Sequence, residues 1–435
     1  MDLRLSSCLL LAALAGVIPG CAEPPGYSQC DGLYYENRPR DLLAAYGPAE
    51  KDGSVNALVG IDKMLSAALL AGDWAEAERL AELASSRVNI FLAGEKGERD
   101  ALSLLGREKA KPFKGEPHER AMADFYLGIL RLRRGDHEGA FNAFLSAMYK
   151  VRGTYRLPLE QEKAREGQEN EETFLFENEY STFAFLAAYC LQRIDEPEEA
   201  ARYLQKAKKA QPSLAFLFDQ GMDPRTNVIA IIEAGHAPWK VRQGNQGEIL
   251  EYQRGPTSDF LEIRLGDTPL SFGRTDDLLA QATTFGGRSM DELNRTKAVR
   301  QEILQNLGLA ATMAGAMIAM AGNDSRNRNL EAAGLITLGV GLAAMIFAAT
   351  AIDPSADIRS WSTLPDQIYI SVGQAEPGDH EVKIKARGQY GDDQSQSWTG
   401  VPIREGTNLL WFRLVPGNRG GVYPFNKSSG ISSQS

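Results

Sequence analysis

Three stretches between about residues 40 and 215 share one pattern, and it constrains the fold more than any other feature of the chain. They are "LLAGDWAEAERLAELA" from Leu69, "LRRGDHEGAFNAFLSA" from Leu132 and "LQRIDEPEEAARYLQKA" from Leu191. Each reads as the end of one helix, a short acidic turn, and a second helix. Ala77, Ala140 and Ala200 hold equivalent places in the second helices. Four residues on come Ala81, Phe144 and Leu204, and three further Ala84, Ala147 and Ala207. Spacing of i, i+4, i+7 draws one stripe along a helix. Alanine in that stripe lets two backbones approach closely, and Pro212 ends the third pair.

These alanines and the closing proline resemble the tetratricopeptide repeat, a helix pair that stacks into arrays. The likeness is best in the third segment; in the second, Gly128 falls at the small-residue position. The pairs start near 58, 121 and 181, about 60 residues apart rather than the ~34 of a regular array, so the array is interrupted. The resemblance implies a groove lined by the first helix of each pair, with Phe125, Ile129, Arg133, Phe185, Tyr189 and Arg193 facing a bound peptide or protein. A plain helical bundle accounts for the same residues differently, with aromatics in the core and arginines in solvent. The insert "EQEKAREGQENEET", 160–173, is charge-dense and predicted to be a solvated loop.

Beyond Pro212 the texture changes. "NVIAIIEAG" (227–235) and "DFLEIRL" (259–265) predict strands, and short strands are expected to about 285. "SMDELNRTKAVRQEIL" then predicts a helix with Asp291 and Glu292 in its first turns. Two charge-free runs follow, 307–322 and 332–352, around the polar turn "NDSRNRN". Ala311, Gly315 and Ala319 recur every four residues, as do Val340, Ala344 and Ala348, a small-xxx-small pattern suited to tight helix contact. The second run approaches the ~20 residues that span a bilayer, whereas the first is short. The expectation from sequence is a hairpin buried in the protein or in an oligomer, with a membrane span as the alternative. From Asp366 onward "IYISV", "HEVKIKARG", "SWTGVPI" and "TNLLWFRLV" predict strands, "AEPGDHEVKIKA" resembles the loop and strand of small β-sandwich modules, and the chain ends in a frayed tail, 426–435.

The N-terminus supplies an address. Arg4 and the apolar stretch Cys8–Ile18 have the form of a secretory signal, and "IPGC" at 18–21 resembles a bacterial lipobox. That likeness implies that Cys21 carries the lipid and begins the mature chain. Ala22 is not the aspartate that retains lipoproteins at the inner membrane, which points to the outer membrane, facing the periplasm. Residues 22–31 read as a polar tether. Of the remaining cysteines, Cys30 and Cys190 could form one disulfide, but Cys190 within "FAFLAAYCL" reads as a small buried hydrophobe.

The order of parts, with "NVIAIIEAGHAPWK" (227–240) and the segment 356–384, is similar to a conserved family of bacterial tetratricopeptide-like lipoproteins without an established activity. Net charge of −10 gives no basic footprint for nucleic acid. His118, His137, His236 and His380 are scattered, "FGGRS" (285–289) reads as a turn, and no HExxH, GxSxG, CxxC or phosphate loop occurs. The sequence therefore predicts a non-enzyme without cofactor or metal, of α+β class. Its expected parts are a signal (1–20), a lipidated tether (21–31), a tetratricopeptide-like helical domain (32–215), a mixed α/β region (216–306), an apolar helical hairpin (307–352), a C-terminal β module (353–425) and the tail. The expected function is that of a lipid-anchored envelope scaffold that binds another envelope protein through the groove. The alternative is a membrane-embedded or self-assembling, homo-oligomeric component of an envelope machine that works through the hairpin.

Overall fold

The computed structural model describes residues 27–51, 55–94, 112–151, 153–155, 174–176, 180–245, 247–254, 257–284, 289–351, 355–388, 393 and 395–414. Cys21 and the signal, the 160–173 insert, nearly all of "FGGRS" and the tail lie outside these residues. The architecture is mixed α+β.

Helices α1 (Tyr27–Tyr35) and α2 (Pro39–Lys51) lead into three pairs, α3 (Ala57–Ala71) with α4 (Trp74–Gly94), α5 (Pro117–Arg133) with α6 (His137–Lys150), and α7 (Ser181–Arg193) with α8 (Pro197–Ala210), followed by the short α9 (Ala215–Met222). Each helix packs on the next. The turn within each pair rests on a left-handed residue, Gly72, Gly135 or Asp195, which glycine and aspartate tolerate better than β-branched residues. Asp136 then caps α6 by accepting the Gly139 amide at 2.8 Å. The alanine stripes are buried as their spacing predicts: Ala77, Ala81, Ala84, Ala140, Phe144, Ala147, Ala200 and Ala207 all lie in the core, with Leu204 packed on it. At Gly128 a Cβ would come within 2.4 Å of the Phe144 ring, which is why that position is glycine.

The two helices of a pair differ in kind. Outer helices α4, α6 and α8 bury only a stripe. Inner helices are covered on all sides: 58–70 of α3, 121–130 of α5 and 181–191 of α7 are buried without a break. A helix apolar all round needs a second layer on its far face, and the rest of the chain supplies it.

That layer is a sheet ordered β12-β3-β9-β8, from β3 (Val228–Ala234), β8 (Ser271–Asp277), β9 (Gln367–Gly373) and β12 (Asn408–Leu414). β12 runs parallel to β3, residue for residue from Asn408↔Val228 to Leu414↔Ala234. All seven residues of β3, β9 and β12 are buried. Side chains alternate between faces. Ile229, Ile231, Ile368, Ile370, Val372, Leu409 and Trp411 join the helical core. Val228, Ala230, Ile232, Tyr369, Leu410 and Phe412 face a second core shared with another sheet. That outer sheet is ordered β11-β10-β6-β7, from β6 (Ser258–Leu265), β7 (Thr268–Pro269), β10 (Gly378–Gly388) and β11 (Gln396–Ile403). Strands from the middle of the chain and from its C-terminal part thus interleave in both sheets. The expected boundary at 353 does not divide them: each of the two sheets draws strands from both segments. A ribbon of β4 (Trp239–Gln243) and β5 (Ile249–Gln253) stands apart, and a short pair, β1 (Gly153–Tyr155) with β2 (Phe174–Phe176), lies on either side of the 160–173 insert within the region predicted as a helical domain.

From β8 the chain passes through α10 (Leu278–Thr284) into α11 (Ser289–Asp324) and back along α12 (Arg328–Ala351). These two helices pack mainly on each other.

Candidate functional site

Two surfaces are candidates, and the structure treats them in opposite ways. The first is the face of the inner helices where a peptide was expected. Phe125, Ile129, Phe185 and Tyr189 are all buried, so none can touch a partner; this corrects the groove assignment for these four. Phe125 stacks on Phe183 with ring centres 5.1 Å apart, and Phe185 packs on Phe218 at 5.4 Å. Arg133 lies half-buried over the Trp74 ring at 5.0 Å. Arg193 is exposed, covers Tyr189 and donates to Thr407 Oγ1.

What fills the groove is the chain itself. Trp361 donates from its indole to Ser66 Oγ at 2.8 Å and from its backbone to Glu119 Oε1 at 2.8 Å. Lys240 donates to Glu119 Oε2 at 3.1 Å. Tyr126 donates to Glu233 Oε2 at 3.1 Å, and Arg413 lies 4.0 Å from the same carboxylate. Asp276, at the end of β8, accepts the amides of Ser181 and Thr182 at 2.9 Å each, capping α7 from another element. Burial pushes Glu233 up to about 7 and Asp276 up to about 6. A groove closed by buried, paired charges is not an open docking site.

The histidines do not converge. His118 is buried against Tyr252, His137 lies edge-on to Tyr189, and half-buried His380 shares a hydrogen bond with the Glu376 carbonyl. His236 stacks on Tyr35 at 4.0 Å, and burial together with the Arg413 charge lowers it to about 4. Among the described residues no cluster of three His, Cys, Asp or Glu side chains is placed to hold a metal. Cys190 is a buried free thiol whose pKa burial raises.

The second surface is the hairpin, where the expectation of burial within the protein is overturned. Only 11% of the most apolar window in each helix is buried. Met317, Ile336 and Val340 are 65%, 68% and 62% exposed. Among the described residues the exposed ones lie around both helices, and the seam between the helices is covered. Glycines seven apart make that seam: Gly308, Gly315 and Gly322 on α11, Gly334 and Gly341 on α12. A Cβ at Gly315 would lie 2.3 Å from the Leu338 amide nitrogen, and one at Gly334 would lie 2.2 Å from that of Ala319. The four-residue spacing placed Gly315 and Ala319 at this contact but also Val340, which points away from it. The polar turn is closed by Asn327, which accepts the Asn329 and Leu330 amides at 3.2 and 3.3 Å and caps α12.

Between Glu302 and Asp324, and again between Glu331 and Asp353, the chain carries no charge. Each interval is ~20 residues, and at 1.5 Å rise per residue that is ~30 Å, the thickness of a bilayer's hydrocarbon core. The hydroxyls of Thr312 and Thr337 are satisfied within their own helices, Thr312 donating to the Gly308 carbonyl at 2.7 Å and Thr337 to the Ala333 carbonyl at 2.9 Å, as an apolar medium requires.

No protein-family model, curated protein or solved structure matches the chain.

Proposed function

We propose that this chain is an exported, lipid-anchored envelope protein whose glycine-seamed hairpin enters the bilayer and holds the α/β body beside it as a component of a membrane-bound assembly. One observation carries the reading. The hairpin is apolar around both helices, matches the hydrocarbon thickness in both limbs, and over its described apolar windows is only 11% buried. A surface for one protein partner would be apolar on one face and polar on the other; a surface without a polar face suits lipid. Close backbone contact through glycine is the way such helices associate where no hydrophobic effect drives them together.

The sequence supplies the rest of the proposal: export by the signal and acylation at Cys21. Ala22 favours the outer membrane, while Arg326 and Arg328 at the hairpin tip suit a cytoplasmic side. An inserted hairpin holds more firmly than two acyl chains, so the proposal places the protein at the inner membrane with its body in the periplasm.

The helix pairs keep their tetratricopeptide-like character as a likeness, with the inner face serving the chain's own sheet. The adaptor reading then falls to the outer helices. An open cleft of about 500 Å³ between α4 and α5, lined by Glu82, Ser85, Asn89, Ile90 and Arg131, is the place that favours it.

Carbonate extraction of wild type beside Cys21→Ala tests the main reading. The hairpin should keep the unacylated variant in the membrane pellet, with detergent required to release it. Recovery of Cys21→Ala as a soluble monomer without detergent would contradict it.

A further inference from the structure

Where the hairpin leaves the body, the β4–β5 ribbon meets both of its stems. On the return side Arg242 donates through Nε to the Ala356 carbonyl at 2.9 Å, the Ala356 amide donates to Gly247 at 2.8 Å, and Lys240 donates to the Arg359 carbonyl at 2.9 Å. On the outgoing side α11 packs against β5. Ala356 follows the last helical residue, Ala351, by five positions, so the ribbon stands no more than about 17 Å from the end of α12.

The ribbon has two unlike faces. Lys240 and Leu250 point inward and are buried. Trp239, one residue from Lys240 and therefore on the opposite face, is 50% exposed. Ile358, between the two return-stem residues bonded to the ribbon, is also exposed, and Val299 and Ile303 continue the exposed apolar surface along α11 as it departs. The other tryptophans are placed differently: Trp361, Trp398 and Trp411 are buried, and Trp74 is partly covered by Arg133.

We infer that Trp239 and Ile358 form a membrane-interface foot: this edge of the body rests at the headgroup level of the bilayer the hairpin enters, with the Trp239 indole in the interfacial zone. The inference rests on the membrane reading above and adds which side of the body faces the lipid. An indole carries a large apolar area and one N–H donor, so it gains most where one side is hydrocarbon-like and the other wet. A half-exposed tryptophan beside two stems bound for a bilayer has such a zone within reach. The ribbon that carries Trp239 is bonded to the return stem and meets α11 on the outgoing side, and this proximity to the segment proposed for the bilayer selects lipid over a separate protein as the occupant.

Tryptophan fluorescence of the full chain in phosphatidylcholine nanodiscs tests this, with shallow (6,7-dibromo) acyl chains as quencher. Insertion is followed separately, by protection of a fragment covering 301–346 from added protease. The expected result is quenching in wild type that disappears in Trp239→Phe, and an acrylamide Stern–Volmer slope that falls about twofold on reconstitution of wild type only. Replacing a half-exposed indole by phenylalanine leaves the fold in place, which circular dichroism verifies. A protected hairpin with equal bromolipid quenching in both forms would overturn the foot and leave the membrane reading standing. An unprotected hairpin would overturn both.

Discussion

Glu233 sits where an ordinary carboxylate would be costly, fully covered between α5 and the central sheet, and burial lifts it to about 7; Asp366, buried beside β8, is lifted to about 7 as well. Both lie above their unfolded values near 4. Through the interval between those values the folded chain holds protons that the unfolded chain gives up, so stability falls as pH rises and levels off above 7. Asp276, raised to about 6, adds to the same trend over the lower part of the interval. His236 works the other way: lowered to about 4 from the usual 6.5, it costs stability as pH falls through that range. Between 6.5 and 7 the carboxyl groups act without opposition. The melting temperature of the body is therefore expected to drop between about pH 6 and pH 8, with a flatter profile in Glu233→Gln. Thermal denaturation in detergent checks this; a rise over that interval would contradict the assigned burial. None of the three carboxyl groups stood out in the sequence, because a lone glutamate in "VIAIIEA" looks like the end of a strand until its neighbours are known.

At the scale of elements, the helices were the most legible part. The stripe of Ala77, Ala81 and Ala84 and its counterparts marked the buried face of each outer helix correctly, since that signal is local and periodic. The inner helices carried a readable signal that points against an open groove. "ALVGIDKMLSAALL" is apolar on all faces apart from Asp62, Lys63 and Ser66, and such a helix must be covered on both sides. The resemblance to a peptide-binding array drew Phe125 and Phe185 to a surface that the chain's own sheet occupies. Strand positions were also legible; their pairing was not, because β12 joins β3 across about 180 residues and nothing in either strand names the other. In the hairpin the contact runs through glycines seven apart, so a large side chain in the seam should force the limbs apart. Gly315→Leu is expected to lose protease protection of the hairpin in nanodiscs and to leave the urea unfolding of the body within about 0.5 kcal/mol of wild type. An equal loss in both would show that hairpin and body are one cooperative unit.

For the whole molecule, four strata explain why a chain with 43% hydrophobic residues buries its body so completely. Outer helices cover inner helices, inner helices cover the central sheet, and the central sheet covers the outer one. The exception is the hairpin, where the same composition stands bare. An exposed apolar segment of this size marks an interaction site, and on the membrane reading proposed above its occupant is lipid. The most direct measurement is the water accessibility of single cysteines at Met313, Ile336 and Val340, in a chain whose Cys30 and Cys190 are replaced, using a membrane-impermeant maleimide on intact membranes. The account expects no labelling at these three positions until detergent is added, while a cysteine at exposed Phe216 on the body labels at once in spheroplasts. Equal labelling of hairpin and body positions before detergent would contradict it.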